Sequence, residues 1–82
     1  MFEIGQEVRM EINDQRKGQV TYGFVIGKPK GMSDVIVVAN ERCIGMPINI
    51  NWCEEREHFD YDVAMWCRKR YEKIAPDYLE PI

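Results

Sequence analysis

The chain has no apolar run approaching the ~18 residues that a membrane-crossing helix needs, so no membrane partner is expected. Its first residues, Met-Phe-Glu-Ile-Gly-Gln-Glu, lack the basic-then-apolar order of a secretory leader. It has a single histidine, His58, and no Cys-x-x-Cys pair. The one glycine-rich stretch, residues 27–31, lacks the Gly-x-x-x-x-Gly-Lys-Ser/Thr order of a phosphate loop. Cys43, Cys53 and Cys67 are odd in number and cannot pair fully; without a leader they read as reduced thiols in a cytoplasmic protein.

These shortages bear on chemistry. Zinc sites favour ligand pairs spaced by two to four residues, and of Cys43, Cys53, His58 and Cys67 only Cys53 and His58 come near that, as a lone pair. The acidic residues Glu54, Glu55, Glu57, Asp60 and Asp62 lack the Asp-x-Asp-x-Asp-Gly order of a calcium loop. One histidine with scattered thiols and no oxyanion nest gives little basis for a Cys-His nucleophile. No metal, cofactor or catalytic residue is expected.

Basic charge is also short. Eleven Lys+Arg stand against 14 Asp+Glu, a formal net charge of −3. Residues 1–50 are balanced, and the acidic excess lies wholly in residues 51–82. Phosphate backbones are bound mainly by Lys and Arg releasing counterions, so this balance disfavours non-specific nucleic-acid binding.

What remains is the pattern of one small domain of 82 residues, 45% apolar and 30% charged, within the range of folded globular chains. Residues 1–50 read as β. Val8, Met10 and Ile12 alternate with Arg9 and Glu11, the period of a half-buried strand. Residues 13–18 form a polar turn. Val20, Tyr22, Phe24 and Ile26 alternate next, with Gly23 as a candidate bulge. Residues 27–31 read as a loop. Val35-Ile36-Val37-Val38 is apolar on both parities, hence a strand covered on both faces, one of them by the C-terminal segment. Residues 40–42 form a short hairpin connection, and Cys43 starts another short strand. Pro47 must end that strand's pairing or place it at a sheet edge. Residues 48–50 continue as a strand or a helical turn.

The C-terminal part, about 54–75, reads as a helix. Phe59, Val63, Trp66, Cys67, Arg70, Tyr71 and Ile74 recur at steps of three and four, and Trp66 is expected in the buried stripe. Two starts compete: Asn51 with Glu54 as a capping box, or Asp60 capping a shorter helix. Acidic residues precede the basic Arg68, Lys69, Arg70 and Lys73, the order a helix dipole favours. Pro76 ends the helix, and Tyr78, Leu79 and Ile82 make the tail apolar enough to dock.

Four segments carry a resemblance: Ile4-Gly5-Gln6-Glu7-Val8, Lys17-Gly18-Gln19-Val20, Val35-Ile36-Val37-Val38 and Gly45-Met46-Pro47. Over residues 4–50 the chain resembles small Src-homology-3-like barrels of the KOW and Tudor type. That resemblance implies a five-stranded antiparallel barrel that binds protein tails, peptides or nucleic acid without catalysis. Departures are plain: within residues 4–50 only Tyr22 and Phe24 offer rim aromatics, and the loops are less basic than a KOW module's.

The expected architecture is therefore α+β, a five-stranded antiparallel barrel or sheet over residues 4–50 with the helix packed on it. The expected function is a non-catalytic interaction module whose partner is another protein, with adaptor, complex subunit and phage-type inhibitor of a host machine as open roles. Candidate partner-binding residues are Trp52, Glu54, Glu55, Glu57 and Tyr22, since exposed aromatics anchor interfaces and the acidic run suits a basic partner. The alternative is a nucleic-acid binder using Arg16, Lys17, Lys28 and Lys30.

Overall fold

A computed structural model describes residues 2–11 and 20–80. Arg16, Lys17, Ile12 and the turn expected at 13–18 lie outside these. Strands β1 (Gln6–Glu11), β2 (Val20–Pro29), β3 (Val35–Asn40), β4 (Cys43–Asn49) and β5 (Cys53–Phe59) form one antiparallel sheet in the order β4-β3-β2-β1-β5. Helix α1 (Tyr61–Ile74) follows, and a two-residue strand β6 (Leu79–Glu80) pairs with the end of β2. The architecture is the expected α+β sheet with a C-terminal helix. It is not a barrel: β4 and β5 stand at opposite ends of the sheet and do not close it.

Alternation sorts the core into two layers. Val8, Met10, Val25, Ile36, Val38 and Ile48 pack together on one face of the sheet. Ile26, Val37 and Ala39 lie on the other, under Ala64 and Cys67 of α1 and Leu79 of β6. Val35-Ile36-Val37-Val38 thus divides between both faces, as its double parity requires, and the C-terminal segment covers one of them. The tail docks as expected: Lys30 N–H donates to the Tyr78 carbonyl at 3.0 Å and Leu79 is buried.

Two expected boundaries are corrected. Residues 54–59 are strand and not helix, so the helix begins at Tyr61. Charge order suggested helix, but β1 offers a free edge, and a strand paired on one side with side chains in water tolerates this charged composition. Asp60, the second of the competing starts, is the cap, its Oδ1 accepting from Val63 N–H at 3.1 Å. Asn51 lies instead in a short 3-10 turn, Ile50–Trp52, capped by the Asn49 side chain. Strand β2 runs on through the expected loop to Pro29, because β6 gives Lys28 and Pro29 a partner strand. Pro47 stays within β4, which lies at the sheet edge, where a missing N–H is tolerated.

The irregularity of β2 falls between Val25 and Gly27, three residues beyond Gly23. Gly27 takes φ +155°, a conformation that side chains rarely adopt, and a Cβ there would meet Arg68 Nη1 at 2.7 Å. Arg68 reaches this point from α1 and donates from Nη1 to the Ile26 carbonyl at 2.6 Å, with its Nε 3.7 Å from Glu72 Oε1. Its side chain is only 11% exposed. A guanidinium from the helix thus engages the strand where the strand departs from regular pairing.

The helix contacts the sheet through small and flat side chains. Ala64 and Cys67 are buried, and Tyr71 lies over Gly45, where any Cβ would collide with the Tyr71 ring. The expected placement of Trp66 is therefore wrong: it is 60% exposed, and Val63 and Ile74 are exposed with it. Residues spaced by three and four spanned too wide an arc to be one stripe. The buried line is Ala64-Cys67-Tyr71, and Trp66 lies on its flank.

We predict that Arg68→Met removes the donor to the Ile26 carbonyl and costs about 1.5–3 kcal/mol, as for hydrogen bonds to charged groups. Thermal unfolding should then begin on the order of 10 °C lower. Lys69→Met, one exposed residue along, should change stability by less than about 0.5 kcal/mol. Equal effects from the two variants would show that the inward-facing guanidinium contributes nothing special.

Candidate functional site: an open aromatic cleft

The helix lies over β2, β3 and β4 and leaves part of the same sheet face uncovered toward β1 and β5. An open cleft of about 400 Å³ results. Its floor is Tyr22, Gly23 and Phe24 of β2, and one wall is Val63, Trp66 and Cys67 of α1. Glu7 of β1, with Asn40 and Glu41 at the end of β3, completes the rim. Register explains the floor: Glu7 stands opposite Phe24 and Arg9 opposite Tyr22. The helix-side face thus changes from aliphatic over β3 to aromatic and charged over β1.

A bulge shapes the second side. Gln6 pairs with Phe59 and Val8 with Glu55, so three residues of β5 face one residue of β1. Gln6, only 5% exposed, stitches this gap. Its Nε2 donates to the Arg56 carbonyl and to Glu55 Oε2, each at 3.2 Å, and its Oε1 accepts from Glu3 N–H at 3.1 Å. Bulges re-aim side chains. Here Arg56 is set over the Tyr22 ring, 5.3 Å from its centroid and 3.9 Å from Glu7 Oε1. His58 is set against Phe24, with centroids 6.0 Å apart. On the helix, Arg70 lies over Trp66 at 4.6 Å.

The turn beside the cleft is held by one side chain. Asn40 Oδ1 accepts from Arg42 N–H at 2.9 Å and Cys43 N–H at 3.0 Å, while its Nδ2 donates to the Tyr22 carbonyl at 3.1 Å. This is an Asx turn, and it ties the β3–β4 hairpin to the strand that carries the aromatics.

Of the candidates read from sequence that fall among the described residues, only Tyr22 lines the cleft. Trp52 is exposed at 59%, as an anchor would be, but it sits on the 3-10 turn outside the lining. Glu54 and Glu57 are exposed on β5, Glu54 lying 3.8 Å from Arg9, and Glu55 accepts from Gln6. The basic alternative is dispersed: Lys28 pairs with Glu80 at 3.3 Å, Lys30 is exposed, and neither lines the cleft. The triplet Arg68-Lys69-Arg70 is divided likewise, Arg68 turned inward and Arg70 laid on Trp66. Phe24, Val63, Trp66, Glu7 and Glu41 were missed as site residues. Alternation already placed Tyr22 and Phe24 on one face; what joins them to Trp66 is the angle of the helix, which no local pattern carries.

Two of the three thiols, Cys53 and Cys67, are biased toward the protonated form. Burial pushes Cys53 from an ordinary 9.0 up to about 11, and its Sγ donates to the Asn49 carbonyl at 3.6 Å. Burial also raises Cys67, against a lowering by Arg70. Among the described residues, no group of three or more His, Cys, Asp or Glu side chains could hold a metal ion, and no helix is long and apolar enough to cross a membrane. Comparison with protein-family models, curated proteins and solved structures finds no match to this chain.

Two predictions follow from this geometry. Gln6→Leu strips the bulge of its hydrogen bonds and should cost about 1–3 kcal/mol, with faster amide exchange along β5. Glu57→Ala, exposed on the same strand, should leave both unchanged. For Cys53, the folded state keeps a proton that the unfolded chain releases between pH 9 and about 11. Stability is therefore fully present below pH 9 and falls as pH rises through that window. Cys53→Ala should flatten part of the fall in a melting-temperature series, and an unchanged slope would refute the assignment.

Proposed function

We propose that this protein is a non-catalytic interaction module whose partner is another protein, docked in the aromatic cleft. The observation that carries this reading is Trp66, 60% exposed beside Tyr22, Phe24 and Val63. A folded domain gains by turning so large an apolar side chain inward. An exposed Trp over an aromatic floor has the composition of an interface anchor, where Trp and Tyr contribute most of the binding energy. Protonated thiols and the single histidine set against Phe24 favour binding over nucleophilic chemistry.

The resemblance to small Src-homology-3-like modules fits this reading as an open relative. What supports it is a meander of four strands, β1 to β4, after which β5 returns beside β1. The third aromatic, Trp66, comes from outside the resembling segment. Three free cysteines support a reducing, cytoplasmic setting. An adaptor, a complex subunit or an inhibitor of a larger machine could each use such a surface.

The test is affinity capture from the native cell, with nuclease-treated and untreated halves. Trp66→Ala should retain its circular dichroism and melting temperature while losing the captured partner, a loss of at least about 2 kcal/mol for a binding hot spot. Trp52→Ala should retain the partner. Capture that vanishes with nuclease, or that survives Trp66→Ala unchanged, would overturn the reading.

A further inference from the structure

The cleft combines rings with carboxylates. Tyr22, Phe24 and Trp66 supply the rings, Glu7 and Glu41 the acids, and among the described residues no Lys or Arg lines it. The chain's own arginines already show what these rings accept. Arg56 lies 5.3 Å from the Tyr22 centroid and Arg70 lies 4.6 Å from that of Trp66, both within the ~6 Å at which a cation is held by a ring face.

Resting on the docking reading above, we propose that the occupant of the cleft is an arginine side chain from a basic segment of the partner protein. Its guanidinium would stack on the rings and pair with Glu7 and Glu41. Arginine suits this lining better than lysine. It is planar, weakly hydrated and able to meet carboxylates with two donors at once. A phosphate-bearing ligand suits it worse, because both rim acids would repel it and the whole chain carries a net charge of −3.

Arg56 is then an internal competitor. It pairs with Glu7 at 3.9 Å, beyond hydrogen-bond reach, and its side chain is 44% exposed. An arriving guanidinium that takes the same carboxylate and the same ring displaces a loosely held group, and the bulge in β5 gives Arg56 room to move. The backbone at Arg56 stays pinned by Gln6, so displacement swings the side chain without unpairing the strand.

The experiment is an NMR titration of the full chain with an acetylated, amidated pentapeptide holding one arginine between glycines and serines. Peptides with lysine, citrulline or leucine in its place, and a single-stranded oligonucleotide, serve as further probes. The arginine peptide should shift the Trp66 indole and the Tyr22 and Phe24 signals saturably. Citrulline, equal in shape and uncharged, should bind about tenfold more weakly, as should the arginine peptide against Glu7→Gln with Glu41→Gln. Arg56→Gln should tighten binding by a few-fold. Equal binding of the leucine or citrulline peptide would overturn the arginine assignment while leaving the docking reading in place. Stronger shifts of the same signals by the oligonucleotide would overturn it too. If no peptide shifts the cleft, the assignment fails, and capture by wild type against Trp66→Ala still decides the docking reading separately.

Discussion

A guanidinium aimed at a strand carbonyl decides where the helix of this small protein lies. Arg68 meets the Ile26 carbonyl at the point where β2 leaves regular register. Because that contact is nearly buried, its position along and around α1 is fixed. Ala64, Cys67 and Tyr71 are then turned onto the sheet, and Trp66 is turned to the side. Gly27 and Gly45 complete the arrangement by omission, one leaving room for the Arg68 head and the other for the Tyr71 ring. With this anchor the helix covers the aliphatic half of its sheet face and stops short of the aromatic half.

The parts legible in the sequence are those fixed by local alternation. Val8 and Met10 point inward because period two leaves no other choice, and Val35-Ile36-Val37-Val38 is apolar on both sides because two layers press on it. The docked tail is equally local. The segment Glu54-Glu55-Arg56-Glu57-His58 is different. Its charges fit the start of a helix dipole and say nothing of β1, forty-odd residues earlier, whose free edge makes it a strand. Trp66 was misplaced for a related reason. Hydrophobic spacing of three and four is shared by the buried line and its exposed flank, and only small Ala64, a weak signal by any hydropathy measure, marks the true contact. The cleft itself joins β1, β2, the end of β3 and α1, so no single stretch of chain announces it.

Charge is organised around this site and not around the terminal halves of the chain. The acidic excess of residues 51–82 is partly offset by Arg9, which faces Glu54, while the neutral amide of Gln6 holds Glu55 by a hydrogen bond. On the surface such pairs contribute little to stability. Their effect is on orientation: they hold β5 against β1 and leave Glu7 and Glu41 as the carboxylates bordering the rings. Of the basic residues that suggested nucleic acid and are described, Lys28 is committed to Glu80 and Lys30 stands apart from the cleft.

The two ends of the sheet also govern how the molecule can assemble. An open sheet offers unpaired strand edges, and exposed edges recruit further strands into polymers. Here one edge strand carries Pro47, which has no N–H to give, and the other is interrupted by a bulge and lined with like charges at Glu54, Glu55 and Glu57. Both features discourage strand-by-strand growth, whether into fibrils or into a continuous sheet shared with a neighbour. Traffic with other macromolecules is thereby steered away from the backbone at the margins and onto side chains at the face, where recognition can be selective and reversible.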